Sequence, residues 1–400
     1  MNEIEQQAPP PLQSVTIRNL LSFGPTAAPI PLTALNVLIG PNGSGKSNLI
    51  EALALLRATP GDVRRVSARG GGVSELIWKG NPAGVASIDA IVANPAGDYP
   101  LRHTFAFREH DRAFTVEEEH VEYAESELYQ NPDRKQRPFS YHFERGRAVF
   151  NLPETGPRVF RREEIATDQS ILAQRRDPDL YPELAYLSEV YTSARIYREW
   201  AFGRNTVFRV PQPADMRTDR LEEDFSNLGL VLNRLRRTAR TKQALLTALR
   251  DLYSGVDDFD VSVEGGTVQV FLTEGDFTIP ATRLSDGTVR YLCLLAILCD
   301  PNPPSVVCIE EPELGLHPDI LPKLADLLVD ASHRTQLVVT THSDILVDAM
   351  TERPEVILVC EKHQGQTQIQ RLDPDQLSAW LQQYRLGQLW TRGELGGTRW

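Results

Sequence analysis

The chain is 400 residues long, 41% hydrophobic and 24% charged, which leaves room for about two or three domains, or for one domain carrying a large insertion. That composition excludes wholesale disorder, collagen-like repeats and a disulfide scaffold. Forty-two basic against fifty-four acidic residues give a net charge of −12, so the chain is not coated in phosphate-binding charge, although local clusters still count.

In chain order, residues 1–13 read as a polar, Pro-rich arm that lacks the basic start and apolar middle of a signal peptide. The longest nearly uncharged apolar run, Tyr291–Cys299, falls far short of the ~20 residues of a membrane span. The expectation is a cytoplasmic protein with no membrane partner. Ser14–Leu20 alternates like a strand, and Leu35–Ile39 is a short apolar strand that runs into Gly40-Pro41-Asn42-Gly43-Ser44-Gly45-Lys46-Ser47. Asn48–Arg57 follows as a helix with Leu49, Ile50, Leu53 and Leu56 on one face. Pro100–Phe107, Ala113–Tyr123 and Ser140–Phe150 alternate like hairpin strands, while Glu183–Trp200 and Asn227–Tyr253 carry helical spacing. Asp260–Ile279 returns to strands, with turns at Glu264-Gly265-Gly266 and Glu274-Gly275-Asp276. Leu284-Ser285-Asp286-Gly287-Thr288 leads into the apolar helix Val289–Leu298, and Pro304–Cys308 is a buried strand followed by Ile309-Glu310-Glu311-Pro312-Glu313. The strand Gln336–Thr340 ends at Thr341-His342-Ser343; Glu355–Cys360 and Thr367–Leu372 then form a hairpin, and Leu377–Tyr384 a short helix. Cys293, Cys299, Cys308 and Cys360 lie in or at the end of apolar runs, the pattern of reduced core residues.

Two of these segments carry chemistry. The pattern G-x-x-x-x-G-K-S between strand and helix lets glycines wrap a phosphate with backbone N–H groups pointing inward, while the helix N-terminus adds positive potential. Lys46 then reaches the β- and γ-phosphates and the Ser47 hydroxyl ligates magnesium, which makes ATP or GTP the expected ligand. Adjacent carboxylates at a strand tip serve a magnesium ion and an attacking water: Glu310 holds the metal through its water shell and Glu311 polarises the water.

The order of phosphate loop, L-S-D-G-T, strand with Glu310-Glu311, and strand ending at His342 is similar to the ATP-binding-cassette class of ATPases, whose signature loop reads L-S-G-G-Q. Within that class, S-V-T-I-R-N-L-L-S-F and I-E-E-P-E-L-G-L-H-P resemble the stand-alone heads related to RecF, the SMC proteins and the overcoming-lysogenisation-defect family. The resemblance implies an α/β P-loop head in two lobes with ATP and Mg2+ as cofactors: residues 14–99 and 276–400, separated by a family-specific α+β insertion at 100–275. Ser285 stands 239 residues after Lys46 (285 − 46), against roughly ninety in a transporter cassette. No sustained a/d heptads fill the interval, so the long coiled coil of SMC proteins is not expected.

The same resemblance assigns roles. Asn48 joins the nucleotide-binding set, and His342 touches the γ-phosphate. Leu284, Ser285, Asp286, Gly287 and Thr288 close over ATP held by a second copy, which implies an ATP-dependent homodimer. Gln169, in Asp168-Gln169-Ser170, is the candidate for sensing magnesium and the γ-phosphate, the alternative being a polar helix start. Arg69, in Ser67-Ala68-Arg69-Gly70-Gly71, is similar to the arginine loop of SMC heads, or is a solvated loop residue. Asp286 and Thr288 depart from the pattern, as does Glu310 where Asp is commoner. Only 58 residues follow His342 (400 − 342), too few for an appended nuclease, so an effector of that kind is expected in trans. The function so implied is an ATPase that drives or licenses a partner acting on DNA in repair, chromosome maintenance or phage defence. The alternative is an ATP-sensing module of negligible turnover that regulates a separately encoded effector. Between Phe225 and Arg250, Arg234, Arg236, Arg237, Arg240, Lys242 and Arg250 stand with no acid before Asp251. They read as a DNA-phosphate face, a solvated face, or partners for Asp257-Asp258 or Glu222-Glu223-Asp224.

Overall fold

A computed structural model describes residues 9–26, 28–95, 97, 99–124, 139–144, 146–152, 156–160, 165–201, 203, 206–207 and 209–397. The chain divides into two compact units. The first comprises Met1–Ala194, Leu358–Leu372 and Gly396–Trp400; the second comprises Arg195–Ile357 and Asp373–Leu395.

The first unit opens with β1 (Leu12–Arg18), β2 (Ile30–Pro31), β3 (Leu35–Ile39), α1 (Lys46–Ala58), α2 (Val63–Arg69) and α3 (Val73–Leu76). It continues with β4 (Ala86–Val92), β5 (Leu101–His110), β6 (Ala113–Tyr123), β7 (Phe139–Glu144), β8 (Arg147–Leu152), β9 (Gly156–Phe160), α4 (Ile171–Gln174) and α5 (Pro182–Ser193). Eight strands form one antiparallel sheet in the order β2-β1-β4-β5-β6-β7-β8-β9. The β5–β6 turn is made by Asp111 and Arg112 at φ 51° and 63°, the two left-handed residues that match the twist of a tight hairpin. The stretch 140–150 resolves into two paired strands, with Glu144 opposite Arg147. Burying Phe105, Phe107, Phe114, Val116 and Val121 gives the sheet its apolar layer. Expected helix Glu183–Trp200 ends early: α5 stops at Ser193, and Arg195–Tyr197 is a strand. Ala194 turns extended at ψ 144°, and Ile196-Tyr197 gain more from pairing in a sheet than from helical propensity.

The second unit contains β10 (Arg195–Tyr197), β11 (Gln212–Pro213), α6 (Leu228–Leu235), α7 (Ala239–Leu252), β12 (Asp258–Glu264), β13 (Thr267–Glu274) and β14 (Phe277–Pro280). These are followed by α8 (Asp286–Leu298), β15 (Val306–Glu310), α9 (Leu321–Ser332), β16 (Gln336–Thr340) and α10 (Asp344–Asp348). Its inner strands run parallel in the order β10-β15-β16. Val306–Ile309 and Leu337–Val339 are buried throughout, the continuous apolar run that a parallel strand covered on both faces requires. β12, β13 and β14 form an antiparallel meander that turns at Gly265-Gly266 and at Gly275, all at positive φ.

One expected helix over Asn227–Tyr253 is two. In α6 the apolar residues Leu228, Val231, Leu232 and Leu235 make one stripe, but its continuation would place Thr238, Ala239 and Lys242 inward. The chain turns at Arg236–Thr238 instead, and α7 resumes an apolar stripe only at Leu245, Leu246 and Leu249. A closing hairpin, β17 (Ile357–His363) and β18 (Gln366–Arg371), turns at Gln364-Gly365 and lies beside β3 in the first unit. α11 (Pro374–Leu381) and α12 (Leu386–Thr391) belong to the second unit; α11 begins where Pro374 occupies the first turn and the Asp373 side chain accepts from Asp375 N. All four cysteines are free thiols, with Cys293, Cys308 and Cys360 buried. Among the described residues no helix is long and apolar enough to cross a membrane.

Candidate nucleotide-binding and hydrolysis site

The phosphate loop belongs to the first unit. β3 is buried along its whole length and delivers the chain to Gly40 at φ 145°, where a Cβ would lie 2.2 Å from the Cys360 carbonyl oxygen. Gly45, at φ 107°, leaves no more room: its Cβ would meet Thr367 Oγ1 at 2.1 Å. Gly43 has open space around it and is required by φ 78° alone. α1 starts at Lys46 with no side-chain cap and no acid in its first turn, which leaves its N-terminal N–H groups and positive end for an anion. Lys46 Nζ donates to the carbonyls of Gly40 (2.7 Å) and Pro41 (3.1 Å), so the ammonium lies over the loop. These features fit a nucleoside triphosphate.

A run of side chains braces the underside of the loop. Thr367 Oγ1 donates to Ser44 O (2.8 Å) and bonds Ser22 Oγ (2.6 Å), and Asn48 Nδ2 donates to Ser22 Oγ (2.6 Å). A hydroxyl has one proton to give, so the chain of donors runs Asn48, Ser22, Thr367, Ser44 carbonyl. Ser22 and Thr367 escaped sequence reasoning because no motif marks them.

Gln169 sits in the turn before α4, half-buried, and its carbonyl accepts from Gln174 Nε2 (3.0 Å). Ser170 caps α4 by accepting from Leu172 N. The turn is anchored by Glu119, 1% exposed, which accepts from Ser170 Oγ (2.5 Å) and Ile171 N (2.8 Å) and meets His103 Nε2 at 3.2 Å. The other His103 nitrogen is 3.1 Å from Tyr191 Oη. Arg64, on α2, pairs with Asp168 at 2.7 Å. Arg69 is the last residue of α2; its side chain lies outside the described residues.

In the second unit, β15 ends at Glu310 and the backbone then turns left-handed at Glu311, φ 46°, a conformation that a non-glycine residue holds only when its surroundings fix it. Glu311 N donates to Thr340 O (3.0 Å) and Thr340 Oγ1 (3.2 Å), and Glu311 O accepts from Arg290 Nη2 (2.5 Å). The carbonyl of Glu310 accepts from Trp200 Nε1 (2.8 Å). His342 Nε2 lies 3.7 Å from Glu311 Oε1, each side chain about a third exposed. Glu313 accepts from Thr341 Oγ1 (2.8 Å) and His342 N (2.7 Å); burial pushes its carboxyl above the usual range, and these hydrogen bonds oppose the shift. Glu313 therefore fixes the backbone that carries His342.

The loop Leu284–Thr288 is in the same unit. Ser285 Oγ caps α8, accepting from Thr288 N (3.0 Å). A Cβ on Gly287 would lie 2.8 Å from Gly315 O, so only glycine allows that approach. Asp286 turns toward its own chain, accepting from Gly203 N (3.2 Å) and pairing with Arg209. Those two contacts, the Gly203 N–H first, hold its carboxyl below the ordinary range. Arg209, 4% exposed, also donates to Leu284 O. Trp200, Arg209, Arg290 and Glu313 were not singled out from sequence. Arg290 had a signal, being the one charge in the apolar run Val289–Leu298.

The basic stretch is largely spent inside the second unit. Arg234 pairs with Asp300, Arg236 with Asp260 and Lys242 with Asp258, while Arg250 donates to the carbonyls of Val256 and Asp257. Asp258 was among the acids anticipated; Asp260 and Asp300 were not. Arg237 and Arg240 remain exposed.

Against known proteins, a family model described as "AAA domain, putative AbiEii toxin, Type IV TA system" matches residues 35–348, a span that takes in the phosphate loop, the signature loop, both strand-tip glutamates and His342. The chain belongs to this AAA-domain family. A stretch of 96 residues is 32% identical to the chromosome partition protein Smc of Desulfitobacterium hafniense (strain Y51), covering 23% of this chain and 8% of that protein. Another of 100 residues is 33% identical to Smc of Mycobacterium tuberculosis (strain ATCC 25618 / H37Rv), with the same coverage. The chain thus spans less than a tenth of the length of the curated relatives it matches. The SmcHead bound to the C-winged helix domain of ScpA superimposes with a TM-score of 0.58 at 14% identity, covering 92% of this chain and 99% of that one. An Smc head with an extended coiled coil bound to the C-terminal domain of ScpA, from Pyrococcus furiosus, gives 0.51 at 15%, covering 93% and 98%. At such identity the likeness is one of fold: this AAA-domain protein has the α/β P-loop head fold of the Smc heads.

Proposed function

We propose that this AAA-domain protein binds ATP with magnesium and hydrolyses it, using the cycle to license a separately encoded partner that acts on DNA. The observation that carries the reading is the Glu311 turn, a left-handed carboxylate-bearing residue pinned by Thr340 and Arg290 with His342 beside it. Such a residue is held where relaxation would move it, as expected of a group that must aim at a water. The loop Gly40–Ser47 holds the phosphates, with Lys46 on the β- and γ-phosphates. Asn48 serves the nucleotide through its grip on Ser22, and Arg69 and Gln169 are its further contacts. Ser47 and Glu310 would hold magnesium and Gln169 would sense it; the ion would neutralise charge on the transferring phosphate.

In hydrolysis the water oxygen bonds to the γ-phosphorus, the bond from that phosphorus to the β-phosphate oxygen breaks, and a water proton moves toward Glu311 while His342 meets the γ-phosphate. Leu284–Thr288 serves a second copy, in an ATP-dependent homodimer. Leu314 and Ile345, large apolar side chains near Glu311 and His342 in the chain, are 45% and 36% exposed, which supports a surface that a second copy covers. Both Smc heads above are bound to a domain of ScpA, which supports a partner encoded separately.

Purified protein is expected to hydrolyse ATP only with magnesium. Glu311→Gln should stop turnover by about a hundredfold or more with nucleotide affinity kept, and Lys46→Ala should weaken binding itself. Phosphate release and binding of a fluorescent ATP analogue separate the two. Turnover unchanged in Glu311→Gln would refute the hydrolytic reading, and tight binding without turnover in the wild type would select the ATP-sensing module instead.

A further inference from the structure

The signature helix and the glutamate turn share a unit, and one buried cation joins them. Arg290 stands one turn into α8, 2% exposed among apolar neighbours. Burial drives its guanidinium down to about 10, so it stays charged at neutral pH. Taking that charge out of water is unfavourable unless its donors are used, and Nη2 is spent on the carbonyl of Glu311, at 2.5 Å. The guanidinium lies 4.0 Å over the ring of Trp200, whose indole N–H donates to the carbonyl of Glu310. Trp200 is backed in turn by Phe225, ring centroids 4.9 Å apart. Arginine and tryptophan thus grip the two consecutive carbonyls of the carboxylate pair.

The grip falls where orientation is decided. Glu311 N is fixed by Thr340 and Glu311 O by Arg290, so both peptides of the left-handed residue are held, and its side chain follows them. Rotation of either peptide would swing the carboxylate. We infer that Arg290, seated on Trp200, is a positioning residue that ties the aim of the Glu311 carboxylate to the position of the signature helix. A displacement of the first turn of α8, which carries Asp286, Gly287 and Thr288, is then felt at Glu311 of the same chain. Hydrolysis in one copy thereby reports whether its own signature loop is engaged. This rests on the ATPase reading above.

Steady-state hydrolysis and melting temperature of Arg290→Met, Arg290→Lys and Trp200→Phe test it. Arg290→Met should lower kcat by roughly tenfold or more with KM for ATP within about twofold. Arg290→Lys keeps the charge without the fork and should recover only part, and Trp200→Phe, which loses the N–H donor and part of the ring beneath the guanidinium, should fall in between. In a slow Glu311→Asp background, Arg290→Met should cost little further, because both changes act through one carboxylate. Full wild-type kcat in Arg290→Met, or an undiminished loss in the Glu311→Asp background, overturns the inference. So does a parallel decline of kcat, ATP affinity and melting temperature in all three variants. Should Arg290→Met fail to fold, the other two carry the comparison. Wild-type protein without ATPase activity would strike down the functional reading and this inference together, whereas wild-type turnover lost in Glu311→Gln and untouched in Arg290→Met strikes down the inference alone.

Discussion

At the scale of single residues, the left-handed backbone of Glu311 separates the demands of stability from those of chemistry. A non-glycine residue there stores about 1 kcal/mol of strain, which glycine would relieve while adding chain entropy to the unfolded state. Glu311→Gly is therefore expected to melt no lower than the wild type although inactive. Glu310→Gly, in the strand β15, should lose about 1 kcal/mol. Thermal unfolding of the two variants decides the matter: a clear loss of stability in Glu311→Gly would mean that the left-handed turn is not strained. The same backbone explains why Glu310 and Glu311, neighbours of one residue type, need not face the same way. One continues the strand and the other ends it.

Among the elements, the hairpin of β17 and β18 has the clearest functional consequence. Thr367 holds the Ser44 carbonyl and relays the bond from Ser22 and Asn48. Thr367→Val keeps the shape and removes the donor. It should weaken ATP binding by about fivefold, corresponding to about 1 kcal/mol for one hydrogen bond, and leave kcat near its wild-type value. Thr367→Ser should restore binding, and titration of a fluorescent nucleotide against all three proteins checks it; equal affinity in Thr367→Val would show the brace to be idle. Such an element marks the limit of what sequence makes legible. Gly40–Ser47 and Glu310-Glu311 were readable because their chemistry is contiguous and flanked by periodic apolar strands. Ser22 and Thr367 were not, because a hydroxyl acquires meaning only when the fold sets it under the loop, and Thr367 comes 323 residues after the Ser44 it braces. The break between α6 and α7 was hidden for a related reason: each half is a good helix, Leu245, Leu246 and Leu249 continue the spacing of Val231, Leu232 and Leu235, and only the gap in large apolar residues between Leu235 and Leu245 separates them. Arg290 lay between these cases, conspicuous as a charge in an apolar helix but without a partner until Glu311 was placed.

On the scale of the whole molecule, the proposed cycle is an assembly cycle. With hydrolysis blocked in Glu311→Gln, ATP should shift the protein from monomer to dimer. Ser285→Arg, which puts bulk and charge in the signature loop, should prevent the shift. Since each chain carries −12, two copies repel one another, and added salt should favour the dimer by screening. Light scattering at two ionic strengths, with and without ATP, is the measurement; a monomer at micromolar concentration under saturating ATP would refute the dimer. Within each copy, the acids that engage Arg234, Arg236 and Lys242 use up much of the basic stretch, leaving Arg237, Arg240 and Arg250 as its exposed cations.

The bond from Thr367 to the Ser44 carbonyl spans 323 positions of sequence. A ribosome makes the loop early and its support late, with all of Arg195–Ile357 synthesised in between. The growing chain therefore passes most of its synthesis with the loop unbraced, and firm capture of ATP is deferred until the hairpin that carries Thr367 has been made.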